Sequence, residues 1–464
     1  MARPSQRVVP SNAVIISGLA MILLSCVSTK ALARRNSIVR ELLQSEAAAP
    51  APASVKGPPA DAPKGPPAAA PKGSPAAAPD SADSALAAGA PSGAKGPVVD
   101  VTAFGAKPND PSFDNAKAFM QAWGATCKGT GTNKLLIPSG EYIAGQTVFQ
   151  GPCKGPITVE VLGTVKAVAD VTAYADEAWI SFEAITGIML KGGVFDAQGA
   201  TVWKYNDCKQ NPRCKHLPIS LSFSHSENVV VDSVTSINSM GFHTSFTFSS
   251  GITFVNNTIT APDESPNTDG IHISTTSNIT ITDSKIATGD DCIGIIQGTS
   301  KVEISNIECG PGHGISIGSL GKYKNEKDVT GVHVKNCTLT GTTNGARIKT
   351  FPGPIAIQAS DIIFDGITMK DVANPIIIDQ NYGVKNSATP SSVKVTDIHF
   401  RNIKGTTITD EAVSLVCSSL KPCDAIEMAD IDLTYSGSKP FKAVCTNAKV
   451  TFTGKQSPPS CAAT

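Results

Sequence analysis

From about residue 180 onward, apolar and polar residues alternate in short runs, and each run meets Asn, Asp or Gly at its end. Asn278-Ile-Thr-Ile-Thr, Lys301-Val-Glu-Ile-Ser, Gly331-Val-His-Val-Lys, Asp361-Ile-Ile-Phe and Asp397-Ile-His-Phe are copies of one theme. A period of two predicts strands and not helices, because successive strand side chains point to opposite faces. The copies begin 23 to 36 residues apart, a spacing typical of solenoids, whose repeats stack on one another. A β-sandwich also needs many short strands and is the competing fold.

A second periodicity decides between the two. Asp269 lies in Asn267-Thr-Asp-Gly, Asp291 in Gly289-Asp-Asp-Cys and His313 in Gly312-His-Gly, with 22 residues from each to the next. Each motif runs into an apolar strand, Ile271-His-Ile273, Ile293-Gly-Ile295 or Ile315-Ser-Ile317. One coil of a parallel β-helix takes about this many residues, and equivalent positions then stack at the roughly 4.8 Å strand spacing. A sandwich gives no reason for such regularity. The expected fold is therefore all-β, a right-handed single-stranded parallel β-helix over residues 98–464.

The amino-terminal pattern is different. Arg3 and Arg7 precede an apolar run from Ala13 to Val27, followed by Ala31-Leu-Ala33. That order predicts a secretory signal peptide over 1–33. The run is too short for a membrane anchor, which needs about 20 apolar residues. Lys56-Gly-Pro-Pro, Lys64-Gly-Pro-Pro and Lys72-Gly-Ser-Pro then recur in an Ala/Pro background. Such a stretch lacks the apolar content to offset its ordering entropy, so 34–97 is expected to be a disordered linker.

Charge and cysteines narrow the class further. With 39 basic and 39 acidic residues the formal net charge is zero, which argues against nucleic acid or an anionic membrane as partner. Short separations pair Cys127 with Cys153, Cys208 with Cys214, Cys292 with Cys309, Cys417 with Cys423 and Cys445 with Cys461, leaving Cys337 as a buried thiol. No CxxC pair or HxxxH marks a zinc site, and no acidic loop matches an EF-hand. Sequons at Asn256, Asn278 and Asn336 agree with secretion. A closed core of this size makes a monomer the default.

The stacked positions carry the chemistry. Asp269, Asp290 and Asp291 on two adjacent rungs are too close for all three to ionise freely, so one is expected to hold its proton to higher pH. One protonated and one ionised carboxylate across a cleft are what glycosidic cleavage requires. His313, between two glycines, is free to bond an aspartate or a sugar hydroxyl. Arg347 and Lys349, at i and i+2 of a strand, share a face suited to a uronate carboxylate. Tyr382 follows Pro375-Ile-Ile-Ile-Asp379 at a similar strand end, where it can meet a sugar ring.

Asn267-Thr-Asp-Gly270, Gly289-Asp-Asp291, Gly312-His-Gly314 and Arg347-Ile-Lys349, in that order and with Tyr382 beyond, resemble the signature of glycoside hydrolase family 28, the polygalacturonases. The resemblance covers roughly Val98 to Cys461. It implies hydrolysis of α-1,4-galacturonosyl bonds in pectin with inversion and without a metal or cofactor. It also implies Asp290 as general acid, Asp269 and Asp291 as the residues that activate water, and His313 as support for the acid. Arg347, Lys349 and Tyr382 would contact substrate, with His272 as a lesser candidate. Gly310-Pro-Gly-His-Gly-Ile-Ser-Ile-Gly-Ser-Leu-Gly and Glu411-Ala-Val-Ser-Leu-Val-Cys resemble pollen exopolygalacturonases, which points to exo action at chain ends. Endo action, a pectin-binding wall protein without catalysis, and a calcium-dependent lyase are the alternatives. Two departures stand out: Asn381-Tyr-Gly-Val lacks flanking cysteines, and Ile295-Ile-Gln-Gly replaces a more usual turn after the catalytic pair.

Overall fold

The computed structural model of the chain describes residues 95–206, 211, 216–384 and 388–461. The expected signal peptide and nearly all of the expected linker lie outside these residues, as do Cys208 and Cys214. What is described is a parallel β-helix. One ladder runs through Ser250–Val255, Ser277–Thr282, Ser300–Ser305, Val329–Lys335, Gln358–Asp365 and Lys394–Thr407, each strand parallel to the next. A ladder of shorter strands follows it around each coil, through Thr258–Thr260, Lys285–Ala287, Glu308–Cys309 and Thr338–Thr340. A third ladder forms a separate sheet of 11 strands, including Ile271–Ser274, Ile293–Ile295, Ile315–Leu320, Asn344–Thr350 and Asn374–Asp379.

The two-residue alternation accounts for this arrangement. In the first ladder the register stacks Ile252, Ile279, Val302, Val332, Ile362 and Ile398 in one interior column, all at most 1% exposed. Phe182, Phe223 and Phe246 stack likewise beneath the third ladder, with ring centroids 4.7 and 5.3 Å apart. Corners are made by residues that tolerate the left-handed backbone region. The first residues of the five sequence copies, Asn278, Lys301, Gly331, Asp361 and Asp397, all have φ between 54° and 68°. Asn256, Asp283, Asn306, Asn336 and Asn402 close the following corner with φ of 52° to 58°. Asn and Asp adopt this conformation more readily than other side chains, and they bond to one another between coils. Asn306 Nδ2 donates to Asp283 Oδ1 at 2.9 Å, and Asn256 Nδ2 to Ser233 Oγ at 3.0 Å.

Apart from four short 3-10 turns, one element among the described residues departs from the all-strand expectation. Ala116–Cys127 is an α-helix that buries Phe119, Ala122 and Trp123 against the first coils. Asp114 Oδ1 accepts the N–H of Ala116 at its start, and Trp123 Nε1 donates to the Gln150 carbonyl at 2.9 Å. The helix covers apolar surface that a solenoid otherwise leaves open at its end. Four of the five expected disulfides are present, Cys127–Cys153, Cys292–Cys309, Cys417–Cys423 and Cys445–Cys461, and Cys337 is a buried free thiol. Among the described residues no helix is long and apolar enough to cross a membrane.

Candidate active site

The 22-residue spacing is the spacing of the rungs. Ile271 pairs with Ile293 and Ile293 with Ile315, so Asp269, Asp291 and His313 each precede their strand by two residues in one column. Asp290 and Asp291 would face opposite ways in a regular strand. Here Gly289 and Asp290 form a bend ahead of the strand Ile293–Ile295, and both carboxylates are held within the same site. Gly289 is required at that bend, since a Cβ would stand 2.0 Å from the Ser265 carbonyl oxygen.

Asp291 is 2% exposed and both of its oxygens accept hydrogen bonds. Oδ1 accepts from Ser316 Oγ at 2.8 Å and from Arg347 Nη2 at 2.5 Å, and Oδ2 accepts from Lys349 Nζ at 2.6 Å. Arg347 Nε also donates to Ser316 Oγ at 2.8 Å. Burial alone would raise the carboxyl of Asp291, but the adjoining Arg347 and Lys349 charges outweigh it and hold this group below its ordinary range. Asp291 is thus an ionised group. Arg347 and Lys349, at 8% and 6% exposure, are seated on a carboxylate of the chain itself.

Asp269, one rung away, has the opposite tendency. It is 7% exposed, and burial pushes its carboxyl up to about 6. A bond from His272 opposes this, and the charges of Asp290 and Asp291 reinforce it. His272 Nδ1 lies 3.4 Å from Asp269 Oδ2, and its ring stacks on Phe242 with centroids 4.2 Å apart. Asp290 sits against His313, whose ring Nδ1 is 2.9 Å from Asp290 Oδ1 and whose backbone N–H donates to the Asp290 carbonyl. The bond to Asp290 raises the His313 pKa against the opposing effect of burial, and the Asp290 and Asp291 charges add to the rise.

Two residues of this site were not singled out from the sequence. The strand register aligns His272, Gly294, Ser316 and Arg347 in one column across neighbouring rungs. Ser316 is the hydroxyl that links Asp291 to Arg347. Gly294 leaves open a point 3.2 Å from Asp269 Oδ2 and 3.7 Å from Asp291 Oδ2, where any other residue would place its Cβ. Both follow the 22-residue step from His272, so the spacing that marked the aspartates marks them also.

Tyr382 stands farther along the same face. Its ring meets Phe351 edge-on at 5.3 Å, with Lys349 Nζ 5.2 Å from its centroid. Asp290, Asp291 and His313 each offer an atom within 4.8 Å of the others, so a cation could be held among them. The two oxygens of Asp291 already face an ammonium and a guanidinium, and their positive charges disfavour a metal there.

Residues 127–458 match the family described as glycosyl hydrolases family 28. The chain is 44% identical over 375 residues to an exopolygalacturonase of Arabidopsis thaliana, covering 78% of this chain and 88% of that protein. It is 44% identical over 369 residues to an exopolygalacturonase of Platanus acerifolia, of which it covers 97%. The chain belongs to glycosyl hydrolase family 28. Solved structures with the same fold include an endo-xylogalacturonan hydrolase from Aspergillus tubingensis, at TM-score 0.67 and 23% identity over 77% of this chain and 100% of that one. A polygalacturonase from Erwinia carotovora gives TM-score 0.60 and 25% identity over 74% of this chain and 95% of that one. As a family 28 member the protein is a glycoside hydrolase, and the β-helix is the scaffold on which its carboxylates are stacked.

Proposed function

We propose that this chain hydrolyses the α-1,4 bonds of de-esterified polygalacturonate, releasing sugars from chain ends with inversion. The observation that carries the reading is a pair of carboxylates on adjacent rungs, Asp291 held ionised and Asp269 pushed up to about 6, both facing the open point above Gly294. Two carboxylates around one small vacancy suit the capture and deprotonation of a water molecule. Asp290, bonded to His313 beside them, is the acid that protonates the leaving oxygen. Arg347 and Lys349 together carry one positive charge more than Asp291 neutralises, and that excess serves the galacturonate carboxylate, while Tyr382 and His272 border the sugar. Exo action is supported by the exopolygalacturonase relatives.

Residues 1–33 serve as a secretory signal, 34–97 as a linker, and 98–464 as the catalytic domain. The enzyme is a secreted, glycosylated monomer acting on cell-wall pectin. Four disulfides and three exposed sequon asparagines support an oxidising, extracellular setting.

The test is product analysis on polygalacturonate with a chelator present, for the wild type and Asp290→Asn together. Saturated monogalacturonate that disappears in the variant is the expected result. Longer saturated oligomers from the wild type would mean endo action, and binding without products would mean a pectin-binding protein.

A further inference from the structure

The loop after Leu320 lies beside the site but belongs to none of the groups described so far. It interrupts the rung spacing between the strands Ile315–Leu320 and Asn344–Thr350 and carries Lys322-Tyr-Lys-Asn-Glu-Lys-Asp328. Its conformation is held internally. The backbone N–H groups of Gly321, Lys322 and Tyr323 all donate to the carboxylate of Glu326, at 2.7, 2.9 and 2.7 Å. Three successive amides around one anion form a nest. Gly321 has φ of 82°, and a Cβ there would stand 2.7 Å from Val393 Cγ2. The far end of the loop is pinned to the unusual turn after the catalytic pair, where Lys327 N–H donates to Gln297 Oε1 at 3.1 Å and Gly298 N–H to the Lys327 carbonyl.

This clamp fixes the backbone that carries Lys322 and Tyr323. Its ammonium lies 5.1 Å from the Tyr323 ring centroid and 5.4 Å from that of Phe351, and it forms no ion pair with any described residue. Tyr323 is 63% exposed. Phe351 follows the strand that carries Arg347 and Lys349, so the three residues at i, i+2 and i+4 continue along one face. From Asp291 outward the contacts run through Lys349, Tyr382, Phe351 and Lys322 without a break. The innermost cation is neutralised by Asp291, whereas Lys322 offers an unspent charge between aromatic faces beside an exposed ring.

We infer that Lys322 and Tyr323 form a second sugar-binding position, taking the carboxylate and ring of a uronate beyond the pair of sugars that flank the scissile bond. The inference rests on the proposed action on polygalacturonate. Lys322 supplies the charge, Tyr323 a stacking face, and Glu326 positions both by holding the loop. A chain of three or more sugars reaches this position, and a dimer does not.

The experiment compares kcat and KM on digalacturonate and tetragalacturonate for the wild type, Lys322→Gln, Lys322→Arg and Glu326→Ala. An exposed carboxylate–ammonium pair is worth up to about fivefold in affinity. Lys322→Gln is expected to raise the ratio of tetramer KM to dimer KM by about that factor, with kcat on the tetramer held. Lys322→Arg should restore the ratio, and Glu326→Ala should raise it as Lys322→Gln does. An unchanged ratio in Lys322→Gln, or an equal rise for both substrates, overturns the inference. If the wild type cleaves neither substrate, the proposed function has failed, and calorimetric binding of tetragalacturonate to the wild type and Lys322→Gln then decides the position alone.

Discussion

At the scale of single residues, the surroundings give carboxylates of one kind opposite protonation behaviour. Asp291 is surrounded by cations and a hydroxyl, whereas Asp269 is buried beside two other carboxylates with only His272 to offset them. Asp269 can accept a proton from water only when ionised, so the acid limb of kcat/KM is expected to titrate near pH 6. A carboxyl whose folded pKa lies above its unfolded value loses stability as pH rises from about 3.8 to about 6 and stays penalised above. Asp269→Asn should therefore abolish turnover yet gain on the order of 3 kcal/mol at pH 7. That gain should vanish below pH 4, and urea denaturation across this range measures it. The sequence made Asp269, Asp291 and His313 legible because two uninterrupted rungs separate them and their side chains are chemically marked. Gly294 and Ser316 obey the same step, but a glycine and a serine are unmarked until the register is known. Nor does the Arg347-Ile-Lys349 motif disclose that its cations already serve Asp291, because a partner on another rung leaves no local trace.

At the scale of elements, the strands were readable and the helix was not. Alternation and the Asn, Asp or Gly at each corner are local signals, and the structure turns them into stacked columns with positive-φ corners. The helix Ala116–Cys127 is a single short element among Gly- and Pro-bearing segments, and its role lies in what it covers. Trp123 is 3% exposed, packs on Phe149 at 4.9 Å, and closes the first coils. Trp123→Ala is expected to cost about 3–5 kcal/mol, as large aromatic truncations in cores do. The loss should appear as a lower thermal midpoint, together with aggregation through the uncovered strand edges. The loop from Lys322 to Asp328 illustrates the converse. A coil accepts extra residues at a corner and still pairs its rungs: Ile315, Ser316 and Ile317 pair with Ala346, Arg347 and Ile348 across the insertion, and the register slips only beyond them, where Leu320 meets Thr350.

At the scale of the whole molecule, the described β-helix gathers its core, its four disulfides and all of its site residues between Lys95 and Cys461. Deleting residues 1–94 is expected to leave kcat/KM on polygalacturonate within about twofold, since a domain with its own core folds alone. Kinetics on the two purified forms checks this, and a large loss would assign those residues to the catalytic unit. The charge distribution has a consequence for transport. The full chain carries 39 positive and 39 negative charges. Without the proposed signal, which holds Arg3, Arg7 and Lys30 and no acidic residue, 36 positive charges stand against 39 negative ones. The innermost cations of the cleft are buried and paired. A polycation entering an anionic gel is captured at its surface by the release of counterions. A particle with so small a net negative charge, whose attraction is confined to a cleft, instead diffuses through such a matrix and stops only where a chain enters that cleft.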